Sequence, residues 1–397
     1  MSRQRLLRVA LGAALAAAPV PALGLVLAAA PAPATAARAT PSPTGRPVIG
    51  GEALGTAGET LPVDAPPLPA AVTTILTAKS WVVADLDTGA VLAGRAPHAV
   101  GAPASVQKLL LASALLPKLD PAQDVEVTRA DLDFEPGSSA VGLILGGHYP
   151  VQTLWLGLLL NSGNDAANTL ARIGGGTAGV PGAIVAMNEQ AHRLGAYDTH
   201  AVTPSGLDAA GQQTSAYDLA LIARDDFARE DFRRYVATER AQMPPEPPTD
   251  PRGFQIQNDN QLLYGYPGAL GGKTGFTDEA RHTYMGAAQR DGRRLVVTLM
   301  GAESVPRRTW QQAAALLDWG FTVAPGASVG RLVDPGEADR LLIPTPGGAP
   351  AGPVPPANPP WRLATVVLAG LAAGALGASL VRRWRRRRGA AREPTPG

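Results

Sequence analysis

The chain has 397 residues, 45% of them hydrophobic and 5% aromatic, with a formal net charge of +2 and no cysteine. The absence of cysteine excludes thiol catalysis and disulfide bracing, and the length allows one large folded domain or two small ones between terminal segments. Positive charge is carried by 31 Arg against 4 Lys (Lys79, Lys108, Lys118 and Lys273), so a lysine here draws attention to places that need a compact or titratable amine.

Residues 1–36 read as an export signal. Arg3, Arg5 and Arg8 precede an uncharged apolar run from Val9 to Ala30, and Ala34-Thr35-Ala36 supplies small residues for cleavage. Residues 37–70, rich in Pro, Ala, Thr and Gly, read as a linker. The domain expected over 71–325 opens with a strand, Ser80 to Leu86, a tight Asp87-Thr88-Gly89 turn, and a second strand, Ala90 to Ala93. A compact apolar helix is expected from near Ser105 to Leu116, before Pro117. Gln152 to Ile173 and Pro181 to Leu194 read as further helices, Leu295 to Met300 as a strand, and Thr309 to Trp319 as an amphipathic helix. Strands at both ends with helices between them predict an α+β arrangement, one antiparallel sheet carrying a helical insertion.

Residues 326–360 read as a second Pro/Gly-rich linker. Leu363 to Val381 follows, 19 residues without a charge, and then six arginines within Arg382 to Arg388. That length spans a hydrocarbon core of about 30 Å. The basic tail 382–397 places the C-terminus in the cytoplasm, and Trp361 and Trp384 suit the two interfaces. The expected placement is therefore a single-pass membrane protein anchored in the bilayer by its C-terminal helix, with the folded domain outside. Without residues 1–36 and 361–397 the chain holds 24 basic and 32 acidic residues, a net of −8, which argues against nucleic acid as a partner. The five histidines show no metal-ligand spacing.

Three short elements occur once each, in order: Ser105-Val106-Gln107-Lys108, Ser162-Gly163-Asn164 and Lys273-Thr274-Gly275. Residues three apart share a helix face, so Lys108 can reach the Ser105 hydroxyl. A serine needs a base to become a nucleophile, and a lysine serves once burial or a second cation lowers its pKa. Arginine does not deprotonate and cannot replace it. Lys273 is that second cation and an attractor for an anionic substrate. Thr274 offers a hydroxyl to a carboxylate, and Gly275 leaves room for a ligand against the strand.

The motif set S-x-x-K, S-x-N, K-T-G is that of penicillin-binding proteins and class A β-lactamases. From about Lys79 to Phe321 the sequence resembles the serine-type D-alanyl-D-alanine carboxypeptidases, low-molecular-weight penicillin-binding proteins of peptidase family S11. The resemblance extends through Asn161-Ser162-Gly163-Asn164-Asp165, Thr203-Pro204-Ser205-Gly206-Leu207 and Asn260-Gln261-Leu262-Leu263. It implies the penicillin-binding-protein/β-lactamase-like transpeptidase fold and no metal or organic cofactor. It implies that Ser105 attacks the carbonyl between two D-alanines of a peptidoglycan stem peptide and that Lys108 takes its proton. Ser162 relays the proton to the departing D-alanine, Asn164 binds the substrate backbone, and Lys273 and Thr274 hold the terminal carboxylate. The backbone N–H groups of Ser105 and Phe276 form the oxyanion hole, and β-lactam antibiotics acylate Ser105. The sequence departs from the family pattern at Arg281, where a glycine is expected, and leaves no room for an extra β-domain before the membrane segment.

Four other readings compete. A β-lactamase needs a deacylating base, commonly a glutamate in an E-x-x-L-N loop, and no glutamate between the second and third motifs has that context. A D,D-endopeptidase or transpeptidase of the same fold shares the acylation chemistry. A non-catalytic peptidoglycan-binding module has no need of a nucleophile with its base. A Ser-His-Asp hydrolase lacks its G-x-S-x-G elbow.

Overall fold

The structure, a computed structural model, describes residues 47–342. Five long antiparallel strands build the sheet: β1 (Ser80–Asp85), β2 (Ala90–Arg95), β3 (Ala269–Thr277), β4 (Arg281–Arg290) and β5 (Arg293–Ala302), in the spatial order β2-β1-β5-β4-β3. The first two follow from short apolar runs joined by a tight turn. Asp85 accepts hydrogen bonds from the backbone of Asp87 and Thr88, and Gly89 takes a φ of 76°. All six residues of β1 are buried, because both faces of the sheet are covered. Val82 and Ala84 face a helical layer, whereas Trp81 and Val83 face the other side, covered mainly by one long helix.

The helical layer is the insertion between β2 and β3. Its centre is α1 (Gln107–Leu115), whose nine residues are all buried. A helix apolar all round belongs inside a layer rather than on its surface. Around it lie α2 (Val151–Leu160), α3 (Asn164–Gly174), α4 (Val180–Leu194) and α5 (Ala216–Ala228). The helix expected over 152–173 is thus two helices. Ser162 breaks it with a φ of 60°, outside the helical region. The opposite face is covered by α6 (Thr309–Thr322), which sets Ala313, Leu316, Leu317 and Trp319 against the sheet.

Both stretches expected as linkers are folded where described. On the N-terminal side, Leu54 is fully buried, worth about 2 kcal/mol of apolar transfer, and Glu59–Thr60 pairs with Arg95 and Gly94 of β2. On the C-terminal side, Gly330–Arg331 pairs with β2 at Val91 and Ala90, Leu332 and Val333 are buried, and Glu337–Leu342 is helical. Their Pro/Gly content hid them, since each element is too short to show a period. Together they cover the outer edge of β2. The other edge, β3, carries Lys273-Thr274-Gly275 and has no strand beside it among the described residues. The expected export signal, membrane helix and basic tail lie outside the described residues. Among the described residues no helix is long and apolar enough to cross a membrane.

Candidate active site

Ser105 lies in a single 3-10 turn, Ala104–Val106, immediately before α1. Ala104 holds a left-handed φ of 49°, a conformation that costs a non-glycine residue about 1 kcal/mol and survives only where the surroundings enforce it. Two contacts enforce it here. The Thr283 hydroxyl on β4 donates to the Pro103 carbonyl at 2.7 Å. The edge of β3 also comes close: a Cβ at Gly275 would sit 2.8 Å from the Ser105 nitrogen and 2.4 Å from Thr283 Oγ1. Only glycine at 275 lets the nucleophile turn press against the strand.

Lys108 follows one turn along, with no exposed surface. Its Nζ lies 2.9 Å from Ser105 Oγ, within hydrogen-bond reach, and donates to Asn164 Oδ1 at 2.8 Å and to the Ser205 carbonyl at 2.8 Å. Burial holds its pKa well below the ordinary lysine range, and the positive charge of Lys273 lowers it further, against an opposing pull from Asp165. Lys273 is also buried. Its Nζ donates to the Thr274 carbonyl at 2.7 Å, and burial pushes its pKa down to about 8, against the pull of Asp259.

Ser162 and Asn164 enter from the α2–α3 break. Ser162 lines the groove, and no protein hydrogen bond holds its hydroxyl among the described residues. Asn164 has both ends of its amide engaged, accepting from Lys108 and donating to Ser138 Oγ at 2.9 Å. Its place in the unliganded groove is therefore to orient the lysine and a serine of the far wall. The residues meet in a cavity of about 640 Å³ at the open edge of β3, lined by Ser105, Ser162, Asn164, Thr274, Gly275 and Phe276 among others. Phe276 is 48% exposed, with its ring 4.7 Å from that of His282.

Sequence reasoning brought the three motifs together but missed several members of the site. The Ser205 carbonyl, Ser138, Asp259 and Arg308 all face Lys108, Lys273 or the groove. Pro204-Ser205-Gly206 was visible as part of the resemblance, but a backbone carbonyl has no signal in the residue type. Among the described residues no glutamate lines the groove, and its one carboxylate is Asp259. His98 is the one histidine drawn close to two carboxylates, Asp198 and Asp218, and its ring nitrogens already face Asp198 and the Ile49 carbonyl.

A family model for D-alanyl-D-alanine carboxypeptidases matches residues 68–304, more than half of the chain. The chain belongs to this family. The D-alanyl-D-alanine carboxypeptidase DacB2 of Mycobacterium tuberculosis is 46% identical over 261 residues, covering 64% of this chain and 86% of that one. DacF of Bacillus subtilis is 30% identical over 248 residues, covering 62% of each chain. A crystal structure of a D-alanyl-D-alanine carboxypeptidase from M. tuberculosis superposes with a TM-score of 0.63 at 43% identity, over 69% of this chain and all of that one. The DD-transpeptidase of Streptomyces K15 gives 0.59 at 29% identity, over 62% and 97%. The fold is that of the penicillin-binding DD-peptidases, and membership makes the chain a serine hydrolase of the D-alanyl-D-alanine carboxypeptidase type.

Proposed function

We propose that this protein is a membrane-anchored D,D-carboxypeptidase that removes the terminal D-alanine from peptidoglycan stem peptides through an acyl-enzyme on Ser105, and that β-lactams inhibit it. The observation that carries the reading is the 2.9 Å contact between Ser105 Oγ and a fully buried Lys108 whose amine is held toward its neutral form. A neutral lysine within hydrogen-bond reach of a serine is a general base paired with its nucleophile.

The peptide lies along the open edge of β3, with its terminal carboxylate against Thr274 and the charge of Lys273. Ser105 Oγ attacks the penultimate carbonyl while Lys108 takes the hydroxyl proton. Charge on the resulting oxyanion is met by the N–H groups of Ser105 and Phe276, the large electrostatic term in acyl transfer. The C–N bond then breaks, with Ser162 passing a proton to the departing amine. Water attacks the Ser105 ester, regenerates the hydroxyl and releases the shortened peptide. The bilayer anchor rests on the apolar run 363–381 and its flanking arginines, and the export signal on residues 1–36. One neighbour is named a DD-transpeptidase, which keeps transfer of the acyl group to an amine as a second reading.

Labelling of the purified full chain by a fluorescent penicillin tests the acyl-enzyme. Wild type is expected to label covalently and Ser105→Ala to lose the label entirely. Equal labelling of both removes Ser105 from the reaction. Release of free D-alanine from a pentapeptide, against formation of a crosslinked product with an added amine, separates the two reactions.

A further inference from the structure

One buried charge beside the site has no part in the reaction as described. Asp165 is the second residue of α3 and 1% exposed, and among the described residues it pairs with no cation. Its carboxylate is instead filled by backbone donors. Oδ1 accepts from Val141 and Ala166, each at 2.9 Å, and Oδ2 from Gly142 at 2.8 Å and Leu143 at 3.0 Å. Three of these four donors belong to the segment 133–147, which has no regular secondary structure. A carboxylate that accepts several backbone N–H bonds gives each of them charge-assisted strength.

The same segment forms the far wall of the groove through Gly137, Ser138 and Ser139. Ser139 accepts from the Asn164 backbone at 2.9 Å, and Ser138 Oγ from the Asn164 side chain at 2.9 Å. Asn164 in turn accepts from Lys108. The clasp needs close approach. A Cβ at Gly163 would lie 2.3 Å from Val141 Cγ2 and 2.6 Å from Asp165 Oδ1, so the residue between Ser162 and Asn164 must be glycine for the wall to close.

We propose that Asp165 is a positioning residue: by clasping the backbone of residues 141–143 it fixes the far wall of the groove and, through Ser138, Ser139 and Asn164, the place of the Lys108 amine. This rests on the acyl-enzyme reading above. Asp165 acts in a second way, because its charge opposes the lowering of the Lys108 pKa. Removing the charge lets Lys108 lose its proton at lower pH.

The test compares full-length wild type, Asp165→Asn and Ser138→Ala in penicillin acylation and D-alanine release across pH. Asp165→Asn keeps the shape but puts an amide N–H₂ against backbone donors. A misplacement of about 1 Å costs on the order of a hundredfold, so kcat/KM is expected to fall by that much. Its acid limb is expected to move to lower pH, a shift that loss of a structural prop alone does not give. Ser138→Ala removes one hydrogen bond and leaves the carboxylate in place. It is expected to lose roughly fivefold to tenfold with the acid limb unmoved. Wild-type rates in both variants overturn the proposal, as does an Asp165→Asn loss with no movement of the limb. If Asp165→Asn fails to fold, Ser138→Ala decides alone, and a wild-type rate there overturns the proposal. A wild type that neither labels nor releases D-alanine sinks the underlying reading instead.

Discussion

Lys108 and Lys273 are the same residue type in one groove, both without meaningful exposure, in a chain that has 31 arginines and only two other lysines. Their surroundings give them opposite forms. Lys108 faces three acceptors, Ser105 Oγ, Asn164 Oδ1 and the Ser205 carbonyl. A neutral amine has two N–H donors and one lone pair. It therefore donates to the amide and the carbonyl and turns its lone pair to the one partner that carries a proton of its own, the Ser105 hydroxyl. Lys273 donates to the Thr274 carbonyl, feels the Asp259 carboxyl, and keeps its proton up to about pH 8. Its charge lowers the pKa of Lys108, whereas the nearby Asp259 carboxyl pulls that of Lys273 upward. The difference teaches that the neighbouring charge, added to the burial both share, rather than the residue type, divides base from cation.

Arginine at each position breaks or confirms that division most sharply. Lys108→Arg leaves a cation that cannot accept a proton, and acylation is expected to fall by about a thousandfold, within the range of general-base loss. Lys273→Arg keeps the charge and is expected to lose about tenfold, mainly in KM, as an altered carboxylate contact does. Equal losses at the two sites contradict the assignment. The pH profile of kcat/KM sharpens it. Lys108 must be neutral, so its titration sets the acid limb, whereas Lys273 must be charged, so activity declines above about pH 8. In Lys273→Arg the alkaline decline is expected to move upward, while the acid limb remains.

The same contrast appears in stability. Folding lowers the Lys273 pKa from 10.5 to about 8, so the unfolded chain holds the proton more tightly. The sign follows: the cost of burying the charge is fully present below about pH 8 and is relieved as pH rises toward the unfolded value. A shift of this size is on the order of 3 kcal/mol. Lys273→Met removes the charge while keeping an unbranched stem. It is expected to raise Tm by several degrees at pH 7, to flatten the rise in stability between pH 8 and 10.5, and to weaken carboxylate binding. Calorimetry across that range checks all but the last. A fall in Tm at pH 7 shows that Lys273 is a structural cation instead.

Much of this was legible in the sequence, for physical reasons that differ from place to place. Ser105 and Lys108 are set one turn apart by a spacing the chain alone determines, and the short apolar run of Ser80–Asp85, closed by a tight turn, is a local pattern. The Ser205 carbonyl, the Asp165 clasp and the Ser138 contact depend on which backbone atoms meet across the fold, and backbone atoms are the same in every residue. The break at Ser162 was hidden because apolar residues continue on both sides of it, and the positive φ is imposed by the packing of α2 and α3. The terminal strands were hidden by Pro and Gly in segments only two residues wide where they pair. Asp226 is buried with neither oxygen hydrogen-bonded among the described residues, and burial raises its pKa well above the usual carboxylate range.

The smallest effect concerns the rim of the groove, where the chain kept an arginine at a position the resemblance gives to glycine. Arg281 takes a φ of 55°, the left-handed region that favours glycine, at the turn between β3 and β4. Its conformation costs about 1 kcal/mol relative to glycine. Against that stand two gains. Its guanidinium makes two 3.0 Å bonds to Glu303, an exposed pair of the kind that contributes little to stability. It also lies 5.4 Å from the centre of the Phe276 ring, worth roughly 0.5–1 kcal/mol at an exposed site. Glycine at 281 relieves the strain but loses both contacts and adds unfolded-chain entropy of about 0.5–1 kcal/mol. These contributions oppose one another, so Arg281→Gly is expected to lower Tm by no more than a few degrees. Labelling of Ser105 is expected to stay within about twofold of wild type, since Arg281 makes no contact with Lys108 or Lys273. A loss of acylation comparable to that of Lys273→Arg places a third cation in the working groove and ends the two-lysine division.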